Sequence, residues 1–224
     1  ARYSYRKGKP VCGSNNFTLT NSNLAKVGGC SMLNKLIEIL ISAVILIPFF
    51  GVLNKVRFHN IKQSVLYFVF AVYLSAVYLF VGMPTLQFMR FELSLTLIPF
   101  LPMMTDIKNT ILNIFLFLPL GIMLPFLWKK YNRLADTLLF AFGMSLSIEV
   151  LQILTYRATD INDLIANTLG AVVGYFIFRI TSRIIPSITK FARKKNDVYV
   201  IILSVFIAMF FIQPYLATLF YTVS

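Results

Sequence analysis

Long apolar blocks alternate with short polar segments along most of the chain, and this spacing is the main structural signal in the sequence. Each block approaches the roughly 20 residues that an α-helix needs to cross a bilayer at about 1.5 Å per residue. The pattern predicts six membrane-spanning helices, at 36–53, 64–83, 110–128, 134–154, 161–181 and 198–220. A further apolar stretch, at 93–104, is too short to span and contains Pro99 and Pro102, which predicts an interfacial or re-entrant segment.

These blocks predict an all-α protein, a polytopic bundle of about six transmembrane helices. The composition agrees, because 58% of the 224 residues are hydrophobic and 13% are charged, whereas soluble domains have about 25% charged residues. The chain divides into a polar N-terminal segment, a pair of helices, a core of three helices, and a basic loop with a final helix. Their ranges are 1–31, 32–92, 93–181 and 182–224.

Residues 1–31 are polar, carry five Lys or Arg residues and lack an apolar block. They precede Met32, so one interpretation is that the natural protein starts there and the stretch before it is upstream sequence. The other interpretation is a genuine tail, in which Cys12 and Cys30 would form a disulfide if the segment is exported. Two cysteines do not establish a redox compartment, and both interpretations stay open.

The net charge of +13 suggests a nucleic-acid-binding protein at first, but the distribution of the charge argues against that class. The basic residues occur in short clusters between apolar blocks, as the positive-inside rule expects. The loops after the first, third and fifth predicted helices carry eleven Lys and Arg residues, and the opposite side carries four after Met32 or nine with residues 1–31. We expect a multi-pass protein with those three loops in the cytoplasm, in contact with membrane lipids and without a nucleic-acid partner.

Polar side chains lie near one end of three consecutive predicted helices. The third helix starts near one of them, the fourth ends near two, the fifth starts near three, and a short loop adds an arginine. Because consecutive spans alternate in direction, all of these ends lie on the same face of the membrane. The sequence therefore predicts one polar cluster, in the outer leaflet by the charge count. Its members are Asn113, Glu149, Gln152, Arg157, Asp160, Asp163 and Asn167.

Glu149 is the member whose position most needs a specific explanation. It lies about five residues inside its helix end, or roughly 8 Å at about 1.5 Å per residue. A carboxylate at the centre of a spanning helix costs about 2.5–3.5 kcal/mol on insertion scales, and less near the interface. Gln152 shares its helix face, which can turn from lipid toward Arg157 as the predicted partner or toward Asn167 as a hydrogen-bonding alternative.

The fifth predicted helix carries acids and glycines on a single stripe. Asp160, Asp163, Asn167, Gly170 and Gly174 are 3, 4, 3 and 4 residues apart, and these spacings share one helix face. A Gly-x-x-x-Gly pair removes side chains, so a neighbouring helix can approach closely and hold the polar groups in position. Capping remains an alternative for the two acids, because carboxylates are also favourable in the first turn of a helix.

Catalytic chemistry has little direct support in the residues. The chain has one histidine, His59, in a basic loop, which argues against catalytic triads and histidine-containing metal sites. No nucleophile with an adjacent base and no set of metal ligands stands out. We therefore assign no catalytic residue, no metal site and no cofactor.

Three segments together resemble the VanZ-like family of bacterial membrane proteins: NIFLFLPLGIMLPFLW, SIEVLQIL and RATDINDLIANTLGAVVGY. The family pattern runs from an Asn through Pro-x-Gly and Glu-x-x-Gln to an Asp-x-x-Asp-x-x-x-Asn-x-x-Gly-x-x-x-Gly helix, over about residues 95–180. The matching positions are Asn113, Pro119, Gly121, Glu149, Gln152, Asp160, Asp163, Asn167, Gly170 and Gly174. We assign the three glycines among them to helix packing.

The resemblance implies a cell-envelope protein in the bacterial cell membrane. The family takes its name from a protein associated with resistance to teicoplanin, a glycopeptide antibiotic that bears a fatty chain. Its biochemical activity is not settled, so the resemblance by itself names a phenotype and not a reaction.

Three functions are compatible with these residues. The first is a binding or envelope-protective protein whose polar pocket engages an amphiphilic small molecule, such as a lipid head group or a lipid-tailed antimicrobial. The second is an enzyme acting on a lipid-linked envelope precursor, with Glu149 in acid-base catalysis or with Asp160 and Asp163 sharing a divalent cation. The third is a subunit of a homo- or hetero-oligomeric membrane complex. We favour the first, which requires no enzyme activity.

Overall fold

The computed structural model describes residues 21–86, 95–96, 107–155, 159–195 and 197–223. Within these ranges the chain forms seven α-helices. They are α1 Asn21–Leu53, α2 Ile61–Val81, α3 Ile107–Leu127, α4 Leu134–Gln152, α5 Ile161–Ile184, α6 Val198–Ile207 and α7 Gln213–Val223. The π-helical segment Asn54–Phe58 extends α1, and Ala208–Ile212 joins α6 to α7. Short 3₁₀ helices follow α3 and α5, at Lys129–Asn132 and Pro186–Phe191.

Six helical spans in the described residues are long and apolar enough to cross a membrane. They are Lys35–Phe58, Ile61–Val81, Ile107–Leu127, Leu134–Gln152, Ile161–Ile184 and Val198–Leu219. Every end lies within three residues of its predicted position except the end of the first span, which the π-helical segment moves from 53 to Phe58. The predicted fold class, an all-α transmembrane bundle, is confirmed, and the protein is a multi-pass membrane protein.

Helix α1 begins at Asn21, well before the first predicted span. The difference arises because hydropathy reports transfer into lipid, whereas a helix that is stable in the bilayer can continue into a polar segment without a new nucleation step. Part of the polar segment 1–31 is therefore helical. Cys12 lies outside the described residues, so the disulfide between Cys12 and Cys30 stays a prediction.

Most of the predicted interfacial or re-entrant segment at 93–104 also lies outside the described residues. Its described part is the two-residue strand β1, Leu95–Thr96, which pairs in parallel with β2, Thr159–Asp160. Because Asp160 is also the N-cap of α5, this pairing places residues 95–96 beside the start of that helix.

Helices α3 and α5 form the most extensive helix pair, and α4 packs beside α5. Helix α1 packs on α2, and the last span contacts both. Where α2 begins and α3 ends, an aromatic cluster joins the two groups: the Tyr67 and Trp128 rings stack with their centroids 5.2 Å apart, and Phe70 meets Trp128 edge-on. The core therefore has an aromatic end and, at the opposite end of α2, a polar end.

Glycines explain why α3 and α5 pack so closely. Gly170 lies against the backbone of Ile114, and Gly174 lies against the backbone of Leu118. On α3, Gly121 lies in turn against the backbone of α5. A Cβ atom at any of the three positions would overlap a backbone carbonyl of the partner helix, so the two backbones touch without intervening side chains.

Candidate functional site

A cavity of about 470 Å³ lies where α3 begins, α4 ends and α5 begins. The end of α2 and one residue of α1 complete its wall. Five of the predicted polar residues line it, together with two polar residues that the sequence analysis did not include. These seven are Lys35, Asn109, Asn113, Glu149, Gln152, Asp163 and Asn167. We call this space the polar cavity.

The Glu149 carboxylate is 3% exposed and links two helix ends. Its Oε2 atom accepts a hydrogen bond of 3.0 Å from the backbone N–H of Asp160, the N-cap residue of α5. The negative charge thus lies at the positive end of the α5 dipole, where an anion is stabilised by about 0.3–1 kcal/mol, and by more when the site is partly buried. This contact is one source of stabilisation for a buried acid near the end of a spanning helix.

The two aspartates at the start of α5 have different partners. Asp160 Oδ1 accepts hydrogen bonds from the backbone N–H of Asn162 at 2.9 Å and from the Asn162 amide at 2.7 Å, as an N-cap residue does. Asp163 Oδ1 instead accepts a hydrogen bond of 2.6 Å from Asn113 Nδ2, which ties α5 to α3 across the polar cavity. Capping therefore describes Asp160, whereas Asp163 belongs to the cavity wall.

Two buried amides connect α4 to its neighbours. Gln152 Nε2 donates to the backbone carbonyl of Val81 at 3.1 Å, which joins the end of α4 to the end of α2. Asn167 Nδ2 donates to the Ser145 hydroxyl at 2.9 Å, about two helical turns deeper along α4 than Gln152. The other amide atom, Asn167 Oδ1, is buried and has no hydrogen-bond partner among the described residues, so it retains capacity to accept a hydrogen bond.

Arg157, the predicted partner of Glu149, lies outside the described residues, and its ion pair with Glu149 stays a prediction. Asn167, the alternative partner, lies within the described residues. Its side chain and that of Glu149 both line the polar cavity, and its amide nitrogen donates to Ser145. Ser145 was not a candidate in the sequence, since a single serine in an apolar helix carries no distinguishing pattern.

Lys35 and Asn109 line the polar cavity although the sequence analysis did not assign them to it. Asn109 precedes Asn113 by four residues, so one helical turn places both on the same face of α3, and this spacing was the available signal. Lys35 comes from α1, which no local pattern relates to α4 or α5. Its Nζ atom lies 4.7 Å from the centroid of the Phe80 ring, a cation–π contact at the cavity wall.

The wall of the polar cavity combines charge with an apolar opening. Its described residues carry one positive charge, on Lys35, and two carboxylates, Glu149 and Asp163. The apolar part of the wall includes Leu112 and Phe115, whose side chains are 57% and 64% exposed on the outside of the bundle. In a spanning helix that outer surface faces hydrocarbon, so part of the cavity wall adjoins the lipid-facing side of α3.

The Ser145→Ala variant is expected to lower the free energy of unfolding by about 1–3 kcal/mol, because it leaves the buried Asn167 amide nitrogen without its acceptor. Thermal unfolding in detergent micelles would measure this loss. Ser147→Ala is the matched control on the same helix, since the Ser147 hydroxyl is exposed and only returns to the Gly143 carbonyl at 2.7 Å. Equal stability of the two variants would contradict a structural role for the Asn167–Ser145 contact.

The wall of the polar cavity offers hydrogen-bond acceptors and charged groups to a ligand. Carboxylate and amide oxygens can hold a cationic or hydrogen-bond-donating group, and Lys35 can hold an anionic one. Within the described residues, no hydroxyl, thiol or imidazole side chain lines the cavity, and no group of three or more His, Cys, Asp or Glu residues is placed to hold a metal ion. The arrangement suits recognition of a ligand with a charged end.

A protein-family model described as VanZ/LLP1 matches residues 65–182, which is more than half of the chain. The match runs from α2 to the last turn of α5 and so includes every residue of the polar cavity except Lys35. No curated protein and no solved structure matches the chain.

Proposed function

The chain belongs to the VanZ/LLP1 family, and from that premise we propose that it binds an amphiphilic molecule in the polar cavity. The ligand has a charged or hydrogen-bonding end and an apolar tail. Binding at the outer leaflet of a bacterial cell membrane would keep such a molecule from its target in the envelope. The observation that carries the proposal is the combination of the buried Glu149 carboxylate and the half-buried Asp163 carboxylate with exposed apolar side chains of α3 in the same cavity wall.

The polar end of the ligand has matching partners in the wall. Glu149 and Asp163 favour an amine or another donor, and Asn167 Oδ1 has capacity for one more hydrogen bond. Lys35 favours an anionic group near the Phe80 ring. Because charge-assisted hydrogen bonds strengthen where water is excluded, a small number of such contacts suffices to select the ligand.

The apolar tail of the ligand can stay in the bilayer while its polar end is bound. A fatty chain can remain in the bilayer alongside Leu112 and Phe115 while the polar end enters the cavity. Lipid-tailed glycopeptide antibiotics combine these two properties, and the resemblance of this chain to proteins associated with teicoplanin resistance favours them as ligands. A tail-less glycopeptide lacks the group that would hold it in the membrane.

Expression of the protein in a glycopeptide-sensitive bacterial host tests this proposal. We expect the inhibitory concentration of a lipid-tailed glycopeptide to rise, and that of a tail-less glycopeptide to stay at the value of the empty-vector strain. The reason is that partition of the tail into the bilayer raises the local ligand concentration at the cavity. Equal protection against both compounds, or protection against neither, would contradict the proposal.

A second candidate function rests on the two carboxylates that share the polar cavity. Glu149 and Asp163 can act as an acid and base toward a lipid-linked envelope precursor whose head group enters the same space. Lipid mass spectrometry on cells that express the wild type or Glu149→Gln separates the two functions. A precursor that accumulates or disappears only with the wild type favours catalysis, and identical lipid profiles favour binding alone.

A further inference from the structure

A second cavity, of about 520 Å³, lies at the end of the bundle opposite the polar cavity. Gln63 in its wall and Val81 beside the polar cavity belong to the same helix, α2, and are 18 residues apart, or about 27 Å at about 1.5 Å per residue. Six basic side chains from three separate loops line this second space, which we call the basic cavity. They are Arg57, Lys129, Lys190, Arg193, Lys194 and Lys195.

Backbone hydrogen bonds hold the loops of the basic cavity together. The N–H of Lys129 donates to the Arg193 carbonyl at 2.9 Å, and the N–H of Arg193 donates to the Leu127 carbonyl at 2.9 Å, so the loop after α5 is paired with the loop after α3. Arg193 Nε donates to Gln63 Oε1 at 3.1 Å, which adds α2. The basic groups are thus held at one site and are not scattered over a mobile surface.

The charge of the basic cavity is largely uncompensated. Asp197 is the one acid in its described wall; it is 4% exposed and accepts a hydrogen bond of 2.7 Å from Arg57 Nε. The other five basic side chains form no ion pair within the described residues.

The wall of the basic cavity also includes buried hydrogen-bonding side chains. Gln63 and Tyr67 are 6% and 1% exposed, and both line the basic cavity. Gln63 Nε2, the Tyr67 hydroxyl and the neighbouring Trp128 Nε1 are buried together, and the Gln63 and Trp128 groups both lie within reach of the Tyr67 hydroxyl, although the geometry of these contacts is poor. The Tyr67 hydroxyl keeps its own proton to donate, so it can add one hydrogen bond to an anion held in the basic cavity.

An apolar groove adjoins the basic cavity. Phe191 stands between Lys190 and Ala192, which both line the basic cavity, and itself lines a groove of about 360 Å³ with apolar side chains from the first turns of α2. A molecule with phosphate groups in the basic cavity could therefore lay an acyl chain along Phe191 without leaving the bilayer. The groove therefore favours a lipid over a freely diffusing phosphate compound, which has no acyl chain to place there.

We propose that the basic cavity binds a lipid whose head group carries two phosphates, from the leaflet at this end of the bundle. Five uncompensated positive charges exceed what a single phosphate diester neutralises, and they match a head group with at least two negative charges. By the charge count this is the cytoplasmic leaflet, whose anionic lipids attract basic pockets between helices. The proposal does not depend on the function of the polar cavity, because the two spaces lie at opposite ends of α2.

Fluorescence of Trp128 provides the assay, since it is the single tryptophan of the chain and stacks on Tyr67 at the wall of the basic cavity. The protein would be reconstituted in phosphatidylcholine nanodiscs. Cardiolipin, phosphatidylglycerol at equal total charge, and free pyrophosphate would then be added in separate titrations. We expect a saturable change with cardiolipin at lower mole fraction than with phosphatidylglycerol.

The decisive comparison uses two triple variants of equal net charge. Lys129→Gln, Lys194→Gln and Lys195→Gln remove cavity charges whose side chains form no hydrogen bond within the described residues, so the fold is expected to persist. Lys55→Gln, Arg133→Gln and Arg183→Gln remove exposed charges from the same membrane side but outside the basic cavity and the groove beside it. We expect the cavity variant to weaken apparent cardiolipin affinity by about tenfold or more, and the control to change it by less than about twofold.

Each outcome decides the proposal. Equal weakening by both triple variants would show general attraction of the surface and overturn it, as would the absence of any saturable signal with cardiolipin. Pyrophosphate binding without a preference for cardiolipin would overturn the lipid as the source while retaining the two-phosphate chemistry. The charge-conserving triple variant Lys129→Arg, Lys194→Arg and Lys195→Arg is a check on folding, because it keeps the charge at the same three positions and should bind like the wild type if charge is responsible.

Discussion

Gly170→Ala is expected to lower the free energy of unfolding by about 3 kcal/mol or more, a large effect for the addition of one methyl group. The added Cβ would overlap the backbone carbonyl of Ile114 on α3, and a backbone group cannot move aside by changing rotamer as a side chain can. The two helices must separate along their whole contact, which opens the most extensive helix pair of the bundle. Thermal unfolding in detergent and the monodispersity of the purified protein would measure the loss.

Gly143→Ala is the matched control for this prediction. Gly143 is a helical glycine of α4, and a Cβ atom built there meets nothing within 4 Å. Alanine should leave its stability unchanged or raise it by up to about 1 kcal/mol, because alanine is the better helix former. If Gly170→Ala were as stable as Gly143→Ala, the close approach of α3 and α5 would be wrong.

Glu149→Gln is expected to remove the protective function while leaving the fold in place. The glutamine keeps an oxygen that can accept from the Asp160 N–H, so the link between α4 and α5 persists. It loses the negative charge offered to a cationic group in the polar cavity, and one lost charge-assisted contact costs roughly 1.5–3 kcal/mol, or about tenfold or more in affinity. The inhibitory concentration of a lipid-tailed glycopeptide should return toward that of the empty-vector strain.

Glu38→Gln is the matched control for the charge. Glu38 is also an acid within a spanning helix, on α1, and it does not line the polar cavity. Its replacement should leave protection at the wild-type value. Full protection by Glu149→Gln would contradict the proposed function.

The six spans and the family could be read from the sequence because each is encoded locally. A run of apolar residues reports its own cost of transfer into lipid, so it is detectable without knowledge of its neighbours. The observed helix boundaries differ from the predicted ones by more than three residues where a helix continues past the apolar run. This happens at Asn21 and in the π-helical segment that ends at Phe58.

The pairing of individual polar groups could not be read in the same way. Asp160 and Asp163 are equivalent by spacing, yet one caps α5 and the other accepts from Asn113. Which oxygen meets which donor depends on the rotation of α3 relative to α5, and that rotation is set by glycine contacts whose geometry involves both backbones.

The sequence by itself determined that this is a six-span helical membrane protein and that three polar helix ends face the same side, since alternation of direction permits no other arrangement. Only the tertiary structure decided that Lys35 of α1 joins the polar cavity and that Arg193 bonds to the strand-like backbone around Trp128. The physical reason is that hydropathy and helical periodicity act along one helix. Contacts between helices distant in sequence depend on packing energies that no single helix contains.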